Sequence, residues 1–259
     1  ENYINEMSSA DWIYIDPARR NKSGNKVVFL SDCEPDVSKL GPYLLEKAKK
    51  VMIKLSPMMD ISAAQLDLPN TSEIHIISVE NECKEVLIKI KKSFSGTPSI
   101  STLNYLSESE VQEFSFDYSF EKNNPISANF ENLDITNLEN MPLFLYDVNS
   151  SIHKAQAYDL ITQTFGLTPI SSQSHIFLAS RQIHHFPGRS FRVIDVIPYK
   201  KNALDPKLIK SGFNIVPRNF IDSEVIIRKK LGIKKNGTHY LYAVRNQEER
   251  PMLFVCEPI

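Results

Sequence analysis

Two short apolar runs in this chain end in a polar residue followed by proline. The first is Asp11-Trp12-Ile13-Tyr14-Ile15-Asp16-Pro17-Ala18-Arg19-Arg20, and the second runs from Lys50 to Leu55 before Ser56-Pro57. Proline has no N–H and a fixed φ, so it cannot continue a central strand. Asp16 is therefore the last strand residue or the first loop residue. In an open α/β sheet, ligands bind at the carboxyl ends of the strands. A carboxylate placed there can accept a hydrogen bond from an amino group or orient a nucleophile. Arg19 or Arg20 can hold a phosphate through two parallel N–H···O bonds. The plainer readings are a simple Asp-Pro turn and an ion pair from one arginine to Asp32, Glu34 or Asp36. Lys54, beside Ser56 at the second strand end, is a weaker candidate for the same crevice.

Other chemistry finds less support. The histidines are His75, His153, His175, His184, His185 and His239, and none has Asp, Glu or Cys at metal-ligand spacing. No Gly-x-Ser-x-Gly is present to support a serine nucleophile. Cys33, Cys83 and Cys256 lie far apart, without Cys-x-x-Cys, which argues for a reducing compartment and against a disulfide framework or zinc knuckle.

The elements that must position these residues follow from pattern. Tyr3, Ile4 and Met7 sit at helical spacing ahead of the first run. Ile13 and Ile15, with Trp12 and Tyr14 between them, suit a buried parallel strand. Asp36 or Ser38 can cap a helix to Lys49 that carries Leu40, Leu44, Leu45 and Ala48 on one face. Strand, helix and second strand make a βαβ unit, so both proline-terminated ends point to one sheet edge. Asp60 can cap a helix over Ile61–Leu68, and residues 73–79 read as a strand, whereas 83–92 is ambiguous: Val86, Ile88 and Ile90 alternate as in a strand while Glu, Lys and Leu favour helix, and a strand there is what resemblance to a known family implies. Phe114, Phe116, Tyr118 and Phe120 alternate as in an edge hairpin, and Asn123 to Asn140 reads as a linker. Beyond it come a strand at 143–148, one helix from Ser150 or Ser151 to Phe165 closed by Gly166, and strands at 175–180 and 191–197. This β-α-β-β order suggests a small ferredoxin-like unit. A strand at 213–216, a helix at 222–231 and strands at 238–245 and 251–256 repeat it, with Asn236-Gly237 as a turn.

The composition is that of an ordinary globular chain: 259 residues, 42% hydrophobic and a net charge of −1. No apolar run approaches the roughly 20 residues that span a membrane, and no signal peptide opens the sequence. Charge is uneven along it. From Tyr199 onward there are 12 Lys/Arg against 6 Asp/Glu; the totals of 30 and 31 leave 18 against 25 before it. The positive residues group as Lys200-Lys201, Lys207, Lys210, Arg218, Arg228-Lys229-Lys230 and Lys234-Lys235. Phosphate neutralisation supplies most sequence-independent affinity for nucleic acid, so such a module could bind RNA. A solvated helix face explains the same residues about as well.

Asp16-Pro17-Ala18-Arg19-Arg20 resembles motif IV of class I S-adenosylmethionine-dependent methyltransferases, with Ala18 in place of a second proline and Arg19 in place of the common aromatic. With Leu30-Ser31-Asp32-Cys33-Glu34-Pro35 and Lys54-Leu55-Ser56-Pro57-Met58-Met59-Asp60, it is similar to the bacterial methyltransferases that carry a C-terminal THUMP-like domain. Lys154-Ala155 and Phe186-Pro187-Gly188-Arg189 resemble the small ferredoxin-like domain of that family. Phe213 to Phe220, Lys229-Lys230-Leu231 and Tyr240 to Ala243 resemble its THUMP-like domain. The resemblance implies an α/β chain in four parts: the C-terminal part of a Rossmann-like methyltransferase sheet at 1–95, a rim hairpin and linker at 96–140, a ferredoxin-like domain at 141–198 and a THUMP-like domain at 199–259. It implies S-adenosylmethionine as cofactor, RNA as partner, no metal or membrane, and a cytoplasmic location. Asp16, Pro17 and Arg19 would line the reaction, Asp16 and Ser56 the cofactor, and Arg20, Arg218, Arg228, Lys229, Lys230, Lys234 and Lys235 the RNA. The family's pyrimidine-directed cysteine falls where this chain has Ser56-Pro57, so Cys33 is not a nucleophile. None of the eight glycines forms Gly-x-Gly, whereas such a loop normally lets backbone approach this cofactor. The expectation is that the loop and first strands precede Glu1; a degenerate core is the alternative.

Overall fold

The computed structural model describes residues 2–18, 29–117 and 142–259. It divides into two compact units: Glu1–Lys122 with Asn149–Gln156, and Asn123–Val148 with Ala157–Ile259.

The first unit opens with α1 (Asn2–Glu6) and β1 (Ala10–Ile15). A single 3-10 turn at Leu30–Asp32 leads to α2 (Val37–Lys47), whose N-cap Asp36 accepts from the Ser38 N–H at 3.1 Å. Then come β2 (Ala48–Leu55), α3 (Ile61–Asp67, capped by Asp60), β3 (Thr71–Val79), β4 (Glu82–Lys91), β5 (Ser99–Tyr105) and β6 (Val111–Asp117). The last element of this unit is α4 (Ser150–Ala155). The strands form one sheet in the order β1-β2-β4-β3-β5-β6. β1 and β2 are parallel, as a βαβ crossover requires; β4 runs antiparallel between β2 and β3.

Alternation divides this sheet into unlike faces. Val51, Ile53, Ile74, Ile76, Val86 and Ile88 are fully buried and form one core with Val37 and Leu44 of α2 and Ala64 of α3. Each such aliphatic side chain contributes roughly 1.5–3 kcal/mol through its burial. The other face is set by the intervening residues: Trp12 and Tyr14, Lys50 and Lys54, Lys89, Glu73 and His75. Trp12 is 48% exposed and Tyr14 59%. β1 is thus not the strand buried on both faces that its apolar run suggests. Its isoleucines face the core, and its aromatic residues face outward with the lysines of β2 and β4.

The second unit contains β7 (Leu143–Val148), α5 (Tyr158–Phe165), β8 (Thr168–Pro169), β9 (Ile176–Ala179), β10 (Gly188–Pro198), α6 (Pro206–Ser211), β11 (Phe213–Arg218), α7 (Glu224–Leu231), β12 (His239–Arg245) and β13 (Pro251–Pro258). All seven strands lie in one sheet, ordered β11-β12-β13-β10-β7-β9-β8. The two β-α-β-β runs read from the sequence therefore share a sheet. β10, 11 residues long, pairs with β13 on one side and β7 on the other. One face carries Phe213, Ile215, Leu241, Leu253 and Val255 under Ile227 and Leu231 of α7. The other carries Leu143, Leu145, Phe191, Val193, Tyr242 and Phe254.

Two further expectations are corrected, and one helix has no counterpart among them. The single helix expected to run to Phe165 is broken into α4 and α5, because Gln156 takes the left-handed conformation (φ 55°) and its N–H turns back to His153. Asn149, not a serine, caps α4, accepting from the Ile152 N–H at 3.1 Å. α6 has a start signal that pattern reading passed over, Asp205 before Pro206, with the Asp205 carboxylate accepting from the Lys207 N–H. Expected features at Tyr118, Phe120 and Asn123 to Asn140 lie outside the described residues.

Where β10 begins, a Cβ on Gly188 would lie 2.3 Å from the Asp147 carbonyl oxygen and 2.8 Å from Val148 Cα. Gly188→Ala should lower stability by roughly 1–3 kcal/mol, the usual cost of overpacking. Urea unfolding checks this. Gly232→Ala, where a Cβ meets nothing within 4 Å, should lose only the roughly 1–2 kcal/mol of its positive φ.

Candidate functional site

Ile13 pairs with Val51 and Ile15 with Ile53, so β1 and β2 end side by side. Asp16 follows β1 directly, and Lys54 is the penultimate residue of β2. Both belong to the outward face. Lys54 Nζ donates to Asp16 Oδ2 at 2.8 Å and lies 3.7 Å from Glu85 Oε2 of β4. The Lys54 side chain is 21% exposed and that of Asp16 42%, so the lysine is tucked between two carboxylates while Asp16 stays open to solvent. The hydrogen bond it donates to Asp16 holds the Lys54 ammonium above its ordinary range, against its own desolvation. Glu85 escaped sequence reading. Its signal was the period-2 alternation of β4, which places it one step from Lys54 across the sheet.

Proline ends each strand as expected, and the chain beyond each is held. Pro17 is buried, and the Ala18 N–H donates to the Glu34 carbonyl at 3.0 Å, which joins the segments Trp12–Ala18 and Leu30–Pro35. Arg19 and Arg20 lie outside the described residues. Ser56 Oγ accepts from the Met58 N–H at 3.2 Å and the Ser56 carbonyl from the Met59 N–H at 3.0 Å, so Ser56 shapes the turn after β2. Lys154 of α4 donates from Nζ to the Met59 carbonyl at 2.5 Å. Burial pushes its ammonium below the usual lysine range, opposed by Cys83 and Asp60. Lys154 thus braces the loop at the second strand end, a role that its place in a segment of ferredoxin-like resemblance did not suggest. Beside these strands a shallow groove of about 450 Å³ is lined by Lys50, Glu73, Lys89 and Lys91, among others.

The basic residues of the second unit serve unlike ends. Arg228 Nη2 reaches Glu224 at 2.7 Å, Asn236 Oδ1 at 2.7 Å and the Phe213 carbonyl, which ties α7 to β11. Lys230 Nζ lies 3.7 Å from the centre of the Tyr199 ring. Lys229, Lys234 and Lys235 are exposed. Arg218 stands apart from them, with Nη2 3.0 Å from the Asp147 carboxylate. No group of three or more His, Cys, Asp or Glu among the described residues is placed to hold a metal ion.

Comparison with known proteins finds two family models in the second half of the chain. Residues 144–187 match a family model described as a ferredoxin-like domain, and residues 188–258 match one described as THUMP domain-like. The chain is similar in structure to a methyltransferase candidate from Porphyromonas gingivalis W83, with a TM-score of 0.78, 25% sequence identity and 96% of this chain covered. It spans 59% of the length of that protein. No curated protein matches the chain.

Cys33 gives a check on the first site that does not depend on activity. Burial, then the charges of Asp32 and Asp36, raise its thiol from 9.0 to about 11. Thiolate is the reactive form, so at pH 8 iodoacetamide should alkylate Cys33 about a hundredfold more slowly in the folded protein than after denaturation. Peptide mass spectrometry reads this. By the same linkage, the stabilisation is complete below pH 9 and fades as pH rises through about 11.

Proposed function

We propose that this protein is an S-adenosylmethionine-dependent methyltransferase of class I acting on RNA. The observation that carries this reading is the pair of proline-terminated parallel strand ends, with the Asp16 carboxylate fixed by Lys54 yet open on its other side. The likeness to the Porphyromonas methyltransferase candidate supports the catalytic part. The THUMP domain-like match, with the basic residues after Tyr199, supports the RNA part.

The cofactor would supply a methyl group on a sulfonium. The donor set fits one end of it: Asp16 is an acceptor at a strand end where a positively charged or amino-bearing group can sit. Ser56 and the turn it closes form the neighbouring wall. Lys54, itself steadied by Glu85, orients the Asp16 carboxylate, so that it can accept a hydrogen bond from the group to be methylated. Alignment and water exclusion, not proton transfer, are what such a displacement asks of a protein. A non-catalytic RNA-binding module is the second reading. The THUMP domain-like match and the basic residues after Tyr199 would serve that reading equally well.

The test uses protein expressed from its complete gene, radiolabelled S-adenosylmethionine, total cellular RNA and a protein-substrate control. Label should enter RNA and fall at least about a hundredfold in Asp16→Ala, as for loss of a group that aligns the reactants. Label in the protein control alone would replace RNA as substrate. No label in either, with RNA still bound, would establish the binding module.

A further inference from the structure

The two arginines of the ferredoxin-like and THUMP-like motifs meet on one buried carboxylate. Asp147, at the end of β7, is 1% exposed at its side chain. Arg189, from Phe186-Pro187-Gly188-Arg189, donates from Nη2 to Oδ2 at 2.5 Å. Arg218, from the Val216-Pro217-Arg218-Asn219-Phe220 stretch, donates from Nη2 to Oδ1 and Oδ2 at 3.1 and 3.0 Å. The Tyr242 hydroxyl donates to Oδ2 at 2.9 Å. All four residues lie on the sheet face away from α7; the register of β10 and β7 sets Arg189 opposite Asp147, and Arg218 and Tyr242 reach it with their side chains from β11 and β12.

The donors exceed what the carboxylate requires. One guanidinium and a tyrosine would answer a single buried charge, yet two guanidiniums are present, so the cluster carries a net positive charge. Each engages Asp147 through one nitrogen only. The Nε of both are buried without a partner. Their side chains nevertheless remain 40% and 32% exposed, so neither is closed off from solvent. Three rings, Phe191, Tyr240 and Tyr242, stand 5.8–6.0 Å from the Arg189 guanidinium carbon and hold its plane. Two pre-oriented forks with a surplus positive charge match the oxygens of a phosphate.

We infer that Arg189 and Arg218, positioned by Asp147, form a phosphate-binding site that anchors the RNA chain on the second unit. This rests on the RNA reading above and narrows it: affinity would centre on this pair more than on Lys229, Lys230, Lys234 and Lys235. Asp147 is a positioning residue. The ligand chemistry is a phosphoryl oxyanion, with the RNA backbone as its source; free phosphate offers the same chemistry and is separated by experiment.

The arginine Nε–H resonances of the ¹⁵N-labelled full chain give a direct readout. They should shift for Arg189 and Arg218 on titration with a short oligouridylate. In a parallel fluorescence assay, Arg218→Gln and Arg189→Gln should each weaken oligouridylate binding about tenfold or more, the scale of a lost charge-assisted hydrogen bond. They should also reduce the salt-dependence slope by roughly 0.7. Arg218→Lys, which keeps the charge but not the fork, should recover only part, whereas a Lys229→Gln, Lys230→Gln double variant should lose less than either arginine variant. Each variant leaves Asp147 with at least two donors, and thermal melting verifies its fold. Wild-type affinity in folded Arg189→Gln and Arg218→Gln would overturn the site while leaving the RNA reading intact. Shifts with inorganic phosphate and no oligouridylate binding would retain the anion site and overturn RNA as its ligand. Absence of shifts with both probes would overturn the site.

Discussion

The parallel pairing of β1 with β2 is the constraint on which the first unit depends. Once Ile13 and Ile15 sit opposite Val51 and Ile53, a period of two decides everything else about that edge. The aliphatic residues meet α2 and α3, and the polar residue after β1 emerges beside a lysine from β2. Lys54 then has two carboxylates within reach, and its position is determined by them. Slipping the register by one residue would exchange the faces, moving Trp12 and Lys54 into the core. The chemistry at the strand ends is therefore inseparable from the burial that fixes the register.

In the second unit β10 has the corresponding place. It joins the segment that matches the ferredoxin-like model to the strands of the THUMP domain-like segment within one sheet, through β7 and β13. Its first residue must approach β7 so closely that only glycine fits. That approach also carries Arg189 to Asp147. Packing geometry and an ion cluster thus share a cause.

Much of this arrangement was legible in the sequence, and the failures have physical reasons. Strand ends at Asp16-Pro17 and Ser56-Pro57 could be read because proline leaves a central strand no choice. The caps Asp36 and Asp60 were legible for a similar reason, since a side-chain acceptor at a helix start has a distinctive partner. The helix break at Gln156 was not legible: a left-handed glutamine has no composition signal, and only tertiary contacts select it. Nor was the outward face of β1. Trp12 and Tyr14 are apolar by type, and an apolar run does not tell which of two faces is covered. At the candidate site Asp16 and Lys54 were found from adjacent strand ends. Glu85 and Asp147 required knowledge of which strands pair. Asp147 in particular sits in the run Leu143 to Val148, where nothing local marks a carboxylate that will meet Arg189 and Arg218.

Trp12 is the chain's sole tryptophan. It stands on the outward face of the first sheet, half exposed, with Lys50 Nζ 5.0 Å and Lys89 Nζ 5.5 Å from its ring. The chain's tryptophan emission therefore originates in a wet, cationic setting and not in either core. Its emission is an optical gauge of what covers that face. A blue shift would register a body laid across β1, β2 and β4, whereas loss of the second unit's packing would leave the colour of the light almost unchanged.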